Sequence, residues 1–217
     1  KSKSQVSQDL FVFYFSKNQK NGFFIEIGAC DGFHLSNTYM LEKNCGWTGI
    51  ICEPSNYWQL KLKRRNCIIS KKAIFSESGK KIKFDEFPTA PELSGFSNYL
   101  DNDDNNKDVR SKGYKSEAFQ TYDVETITLN DLIAQYSDKN LIDYISIDTE
   151  GSEYEIIKNF DFDKYNVEIF TIEHNYIKEK RDKIFDLLTK NNYVRVFENL
   201  SHWDDWYIKK DNPVLKS

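Results

Sequence analysis

FFIEIGACDGFHLSNT, residues 23–38, runs an apolar strand straight into two glycines, an acid and a polar Ser-Asn-Thr cluster. FFIEIG is rich in aromatic and β-branched side chains, the composition of a buried strand. Gly28 and Gly32, with Ala29 after the first, allow a tight turn and let a ligand come closer than a side chain would permit. Their spacing is G-x-x-x-G. It is not the G-x-G-x-x-G that seats a pyrophosphate at a helix start, which argues against NAD and FAD. The acids Glu26 and Asp31 would repel phosphate and suit an amino or sulfonium cation. The bland reading of the same loop is a tight turn in any βα unit, with acids that cap the next helix.

Working outward, GIICEP, residues 49–54, reads as a second buried strand stopped by Pro54. Glu53 follows Gly32 by 21 residues, near the offset of about 20 at which a carboxylate accepts hydrogen bonds from ribose hydroxyls. A nucleoside that carries positive charge and no phosphate satisfies both the acids and the offset, and S-adenosyl-L-methionine is such a molecule. Ser36 is expected to cap a helix that buries Met40 and Leu41, and SNYWQLKLKRR, residues 55–65, reads as a helix with Trp58 and Leu62 on one face.

Further along, CIISKKAIF (67–75) reads as a third strand and KIKFDEF (81–87) as a hairpin or edge. Residues 88–117 lack periodicity. They are expected to form a mobile lid or acceptor-binding loop, or a floppy insertion, within the domain. TITLNDLIAQY (126–136) is a helix capped by Thr128 or Asn130, and LIDYISIDTEGSEYEIIKNF (141–160) gives strand, turn and helix. VEIFTIEHN (167–175) is another strand, KEKRDKIFDLLTKNN (178–192) an amphipathic helix, and YVRVFE and DWYIKK two final strands. This alternation predicts a single α/β domain over residues 1–217 with a mainly parallel sheet.

Thirty basic against 34 acidic residues leave a net charge of −4, which disfavours a nucleic-acid partner. Four cysteines in the first third show neither metal-site pairs nor disulfide density, and are expected to be reduced thiols in a cytoplasmic setting. No apolar run suffices for a membrane span. Met40 is the only methionine, so the segment is expected to be cut from something longer, either a multidomain protein or a single domain with its ends removed.

In an open α/β sheet, ligands sit beyond the carboxyl ends of the strands, so polar residues gathered there are the ones to question. Asp148 and Glu150 end one apolar strand and Glu173, His174 and Asn175 end the next, so these sets are expected to converge. His174 has the ordinary pKa of a general base at neutral pH. The carboxylates suit magnesium or manganese equally well. Acid clusters at strand ends also arise as helix caps, and metal and no metal both stay open.

IEIGACDGFHLSNTYMLEKNCGWTGIICEP, IDYISIDTEGSEYEIIKNFDF and IEHN together resemble the FkbM-type methyltransferases, with Ser7, Gln8 and Asp9 similar to that family's N-terminal element. The family often has Asn where this chain has Cys30. The resemblance implies a Rossmann-like class I methyltransferase fold, a seven-stranded, mostly parallel sheet with its last strand antiparallel and helices on both faces. It implies S-adenosyl-L-methionine as cofactor and carries that role onto Glu26, Gly28, Asp31, Asn37, Glu53 and Asp148. Gln8, Ala29, Gly32, Ser36 and Thr38 join them as expected cofactor contacts, the Ser-Asn-Thr cluster at the amino-acid end.

Catalytic roles are expected for His174, Glu173, Asp148 and Glu150. By analogy with magnesium-dependent catechol-type enzymes, Asp148, Glu173 and Asn175 are the expected metal ligands. The expected reaction is O-methylation of a sugar in a glycan or glycoconjugate, with a fused glycosyltransferase as one compatible partner. Methylation of a nitrogen or of a small polyketide or lipid hydroxyl, and a non-catalytic nucleoside-binding module, are the alternatives.

Overall fold

β1 (Phe23–Ile27) is buried at all five positions because both faces of the sheet around it are covered. The computed structural model describes residues 1–100 and 106–216. Ahead of β1 lies α1 (Gln8–Phe15), and after it come α2 (Tyr39–Cys45), β2 (Thr48–Cys52), α3 (Gln59–Leu62), β3 (Ile68–Ser70) and β4 (Ala73–Ile74). Next are β5 (Lys81–Glu86), β6 (Gly95–Phe96), α4 (Lys107–Tyr114), β7 (Gln120–Ile127), α5 (Leu129–Tyr136), β8 (Leu141–Ile147) and α6 (Glu153–Ile157). The chain closes with β9 (Asn166–Glu173), α7 (Lys178–Lys190), β10 (Tyr193–Val196) and β11 (Asp204–Lys209).

Seven strands form the main sheet in the order β10-β11-β9-β8-β1-β2-β3, parallel throughout except β11, which runs against both neighbours. Strand alternation splits the core in two. Phe23, Ile25 and Ile27 pack with Leu132 and Ile133 of α5, Ile157 of α6 and Leu188 of α7. Phe24 packs on the opposite face with Val12 of α1, Leu41 of α2 and Leu62 of α3. Each such buried Phe, Leu or Ile contributes about 1.5–3 kcal/mol of transfer free energy. The same alternation sends Glu26 to the face of Phe24, toward α2.

The sequence expectations differ from the structure in four places. CIISKKAIF is not one strand. β3 ends at Ser70, and after Lys71 and Lys72 the chain enters a second sheet as β4, because two consecutive lysines need water or a partner; Lys72 finds Glu125 at 2.6 Å. The second sheet, ordered β4-β7-β5-β6, includes a strand (β7) that periodicity did not reveal, since its first half is largely exposed. The helix read over residues 55–65 is a single turn, although Trp58 and Leu62 are both buried as expected. Ser36 Oγ accepts the N–H groups of Thr38 and Tyr39 but is not the helix cap: the helix starts only at Tyr39 and its capping position falls to Thr38, whose side chain makes no capping bond.

Residues 88–117 contain a 3-10 turn (Pro91–Leu93), β6 and α4, while residues 101–105 of that stretch lie outside the described residues. Arg110 of α4 is ion-paired to Glu150, so the segment packs against the carboxyl end of β8. Thr128 caps α5, accepting from the Asp131 N–H at 3.1 Å. All four cysteines are free, and no described helix is long and apolar enough to cross a membrane.

Candidate active site

The carboxyl ends of β2, β1, β8 and β9 lie side by side and open on one cavity of about 650 Å³. The second sheet closes its far side with Ile74, Phe84 and Phe96. Of the residues singled out in the sequence, Glu26, Gly28, Ala29, Ser36, Asn37, Glu53, Asp148, Glu150, Glu173 and Asn175 line this space. Gln8, Asp31, Gly32, Thr38 and His174 are not on its walls.

Gly28 has φ +84, and a Cβ there would come within 1.6 Å of the Asp148 carbonyl oxygen. Close approach is therefore required, but it is the end of β8 that approaches and not a ligand. Glu26 organises the polar cluster behind the loop: its carboxylate accepts from the Asn37 N–H at 2.6 Å, Ser36 Oγ at 3.0 Å and Thr38 Oγ1 at 2.5 Å. Thr38 thus acts through Glu26. Asn37 donates through Nδ2 to Ser146 at 2.9 Å, which leaves its Oδ1 buried without a hydrogen-bond partner.

Asp31 turns inward on the loop itself, accepting the N–H groups of Phe33 and His34 at 2.8 and 2.7 Å and pairing with the His34 ring. Burial would raise its pKa, but the His34 and backbone hydrogen bonds outweigh that and lower it. Gln8 donates to Asp204 at 2.7 Å beneath the cavity floor.

Arg65 is a cation that the sequence pattern does not single out. It is buried and its guanidinium reaches Glu42 at 2.8 Å, Thr38 Oγ1 at 2.9 Å, the Gly32 carbonyl at 3.0 Å and Glu26 at 3.4 Å. It compensates the Glu26 charge that the sequence assigned to a ligand cation. Arg65 lies past the end of α3 at Leu62, so helical spacing does not place it, and nothing local in the sequence marks it as buried.

Glu53 is buried at the end of β2, its two oxygens accepting the N–H groups of Cys30 at 2.9 Å and Ser55 at 2.8 Å. Burial pushes its pKa up to about 7 despite those bonds. Burial, followed by the charge of Glu53, raises the Cys30 thiol, so it is no thiolate nucleophile.

At the other end of the row, one carboxylate oxygen each from Asp148, Glu150 and Glu173 lie within 4.8 Å of one another. Asn175 lines the wall beside them and is not one of the three. Burial first, then the charge of Glu150 at Asp148 and that of Asp148 at Glu173, raises both pKa values well above the ordinary carboxylate values. Glu173 Oε2 is buried without a hydrogen-bond partner. Glu153 and Lys180 hold this loop and were not foreseen together: Glu153 accepts the Thr149 and Gly151 N–H groups at 2.9 and 3.0 Å and Lys180 Nζ at 2.7 Å.

His174 does not fit the general-base role expected of it. Its Nδ1 accepts the Tyr176 N–H at 2.9 Å and its Nε2 faces the Asp204 carbonyl at 3.1 Å, so both ring nitrogens are spent on backbone. Burial pushes its pKa down to about 4, which keeps the ring neutral. Strand alternation carried the signal: with Glu173 on the cavity, the next side chain points the other way.

A mostly parallel sheet with one antiparallel strand, helices on both faces and a cavity across its carboxyl edge without a pyrophosphate loop defines a Rossmann-like methyltransferase. The chain belongs to the FkbM methyltransferase family, whose Methyltransferase FkbM domain matches residues 26–195. It is thus a methyltransferase of the S-adenosylmethionine-dependent type. No curated protein matches it significantly.

The walls fit that cofactor on two counts. The orphaned Asn37 Oδ1 offers a buried acceptor to an ammonium, and each Glu53 oxygen keeps a lone pair for a ribose hydroxyl beyond the N–H it already accepts.

Proposed function

We propose that the protein is an O-methyltransferase that moves the methyl group of S-adenosyl-L-methionine to a hydroxyl of a sugar in a glycan or glycoconjugate. The observation that carries this reading is the gathering of Asp148, Glu150 and Glu173 on the same cavity as Glu53 and Asn37. Bound S-adenosyl-L-methionine supplies an electrophilic methyl group. Glu53 would accept from its ribose, and Asn37 Oδ1 from its ammonium, with Ala29 on the wall between.

A hydroxyl becomes a competent nucleophile as its proton leaves. Asp148 and Glu173 would take that proton, since their raised pKa values make whichever of them is ionised a stronger base than an ordinary carboxylate. A magnesium or manganese ion held by Asp148, Glu150 and Glu173 is the second reading, favoured by the unpartnered Glu173 Oε2 and by the preference of these ions for carboxylate oxygens. In it Glu150 takes the place first given to Asn175.

Incubation with methyl-labelled S-adenosylmethionine and a panel of glycans, followed by mass spectrometry and NMR, tests the acceptor. A methyl ether on a sugar is expected. Transfer only to nitrogen or to a non-sugar hydroxyl would reject the glycan reading.

A further inference from the structure

Where β9 ends, two consecutive non-glycine residues, Asn175 (φ 48) and Tyr176 (φ 59), adopt the left-handed conformation. Such backbone persists only when its surroundings hold it. The holding groups are visible. His174 Nδ1 accepts the Tyr176 N–H at 2.9 Å, and the Trp203 carbonyl accepts the N–H groups of His174 and Asn175 at 2.8 and 3.1 Å. One imidazole and one carbonyl therefore bring Asn175, Tyr176 and Trp203 to a common stretch of cavity wall, next to Glu173.

We propose that this corner is the acceptor subsite: the rings of Tyr176 and Trp203 receive the apolar face of a sugar ring, and His174 is the residue that positions Tyr176. The inference rests on the sugar reading above. A pyranose has one face of C–H groups and a rim of hydroxyls, so packing on an aromatic ring buries the face and leaves the rim free to point at a polar wall. That wall here is Glu173 with Asp148 and Glu150 behind it. Tyr176 is 56% exposed, so a ring resting on it removes apolar surface from water.

The location also separates acceptor from nucleoside. Glu53 follows β2 and Glu173 ends β9, three strand spacings apart in the sheet, or about 14 Å. The proposed corner therefore lies at the opposite end of the cavity from the ribose position, while Pro91, Leu93, Phe96 and Val109 of the stretch 88–117 line the same cavity. His174 contributes no atom to the reaction. It acts through the amide of Tyr176.

The test uses His174→Phe, which keeps a flat ring without nitrogens, His174→Asn, whose side-chain oxygen can again accept the Tyr176 N–H, and the truncations Tyr176→Ala and Trp203→Ala. S-adenosylhomocysteine affinity is measured by calorimetry, tryptophan fluorescence is followed as methyl glycosides are added to the S-adenosylhomocysteine complex, and KM is measured for any sugar that is methylated. We expect His174→Phe, Tyr176→Ala and Trp203→Ala to raise the sugar KM about tenfold with S-adenosylhomocysteine affinity unchanged, and His174→Asn to recover most of the loss.

Sugar turnover with an unaltered KM in Tyr176→Ala and Trp203→Ala would overturn the subsite and leave the sugar reading standing. Loss of S-adenosylhomocysteine affinity in His174→Phe would overturn the positioning role. No turnover of any glycan, together with no fluorescence response to any glycoside, would overturn the subsite and the sugar reading together.

Discussion

The carbonyl oxygen of Asp148 occupies the space in which residue 28 would carry a side chain, 1.6 Å from a Cβ built on Gly28. The Asp148 N–H meanwhile donates to the Ile27 carbonyl at 3.0 Å, so the ends of β1 and β8 are drawn together at the point where both meet the cavity. Gly28→Ala should cost about 2–4 kcal/mol through overpacking against backbone and a strained positive φ. Gly79 has nearly the same φ, +74, with nothing within 4 Å of its Cβ position, so Gly79→Ala should cost only about 1 kcal/mol. Urea unfolding of both variants checks the difference, which isolates the clash from the dihedral.

Arg65 stands between Glu26 and Glu42, all three buried. Arg65→Leu leaves Glu26 without its cation and Glu42 with Lys43 alone, and should cost about 3–5 kcal/mol at neutral pH. Burial would raise the pKa of Glu42, but Lys43 and Arg65 outweigh it and lower the value. A lowered folded-state pKa contributes stability above the unfolded value that is lost as pH falls. The gap between Arg65→Leu and the parent should therefore narrow in acid, as chemical denaturation at pH 7 and pH 4 would show. A constant gap would count against this pairing.

Glu53 gives a pH signature of its own. Its pKa is pushed from an ordinary 4.5 to about 7 by burial. A raised carboxyl stabilises the fold below 4.5, where both states hold the proton, and that contribution is lost as pH rises through 7. Ribose hydroxyls bond best to the ionised form. Binding of S-adenosylhomocysteine should thus strengthen about tenfold from pH 6 to pH 8, following the ionised fraction. Calorimetry with Glu53→Gln should give weaker binding and a flat profile.

Glu173→Gln should lower turnover by about 10²–10⁴-fold, the usual worth of a positioned proton acceptor, and leave S-adenosylhomocysteine affinity within about twofold. Asp148→Asn should behave likewise in turnover. Assays with a chelator, then with magnesium or manganese restored, decide between bare carboxylates and an ion. Activity undiminished by chelation would remove the ion from the mechanism.

Much of the site was legible because its signals are local. Apolar runs ending in acids marked β1, β2, β8 and β9, and eight of the ten candidate residues on the cavity wall follow directly from those runs and the glycine loop, Ser36 and Asn37 coming from the polar cluster behind them. What was not legible depended on partners far away in the chain. Arg65 meets Glu42 and Glu26, 23 and 39 positions earlier, and Lys180 meets Glu153 across 27. β7 was missed because its exposed half breaks the apolar pattern that marks a strand.

The chain's residue pattern alone determined the alternating architecture, the exclusion of a pyrophosphate loop and the order of acids along the strand ends, since each follows from spacing within one element. Tertiary structure decided which way those groups face. It gave Gly28 to the approach of Asp148, enclosed the charge of Glu26 with Arg65, brought Glu150 beside Asp148 and Glu173 and turned His174 from the cavity to the backbone. Those outcomes depend on which donors and charges packing brings within about 3 Å, and neither periodicity nor spacing carries that information.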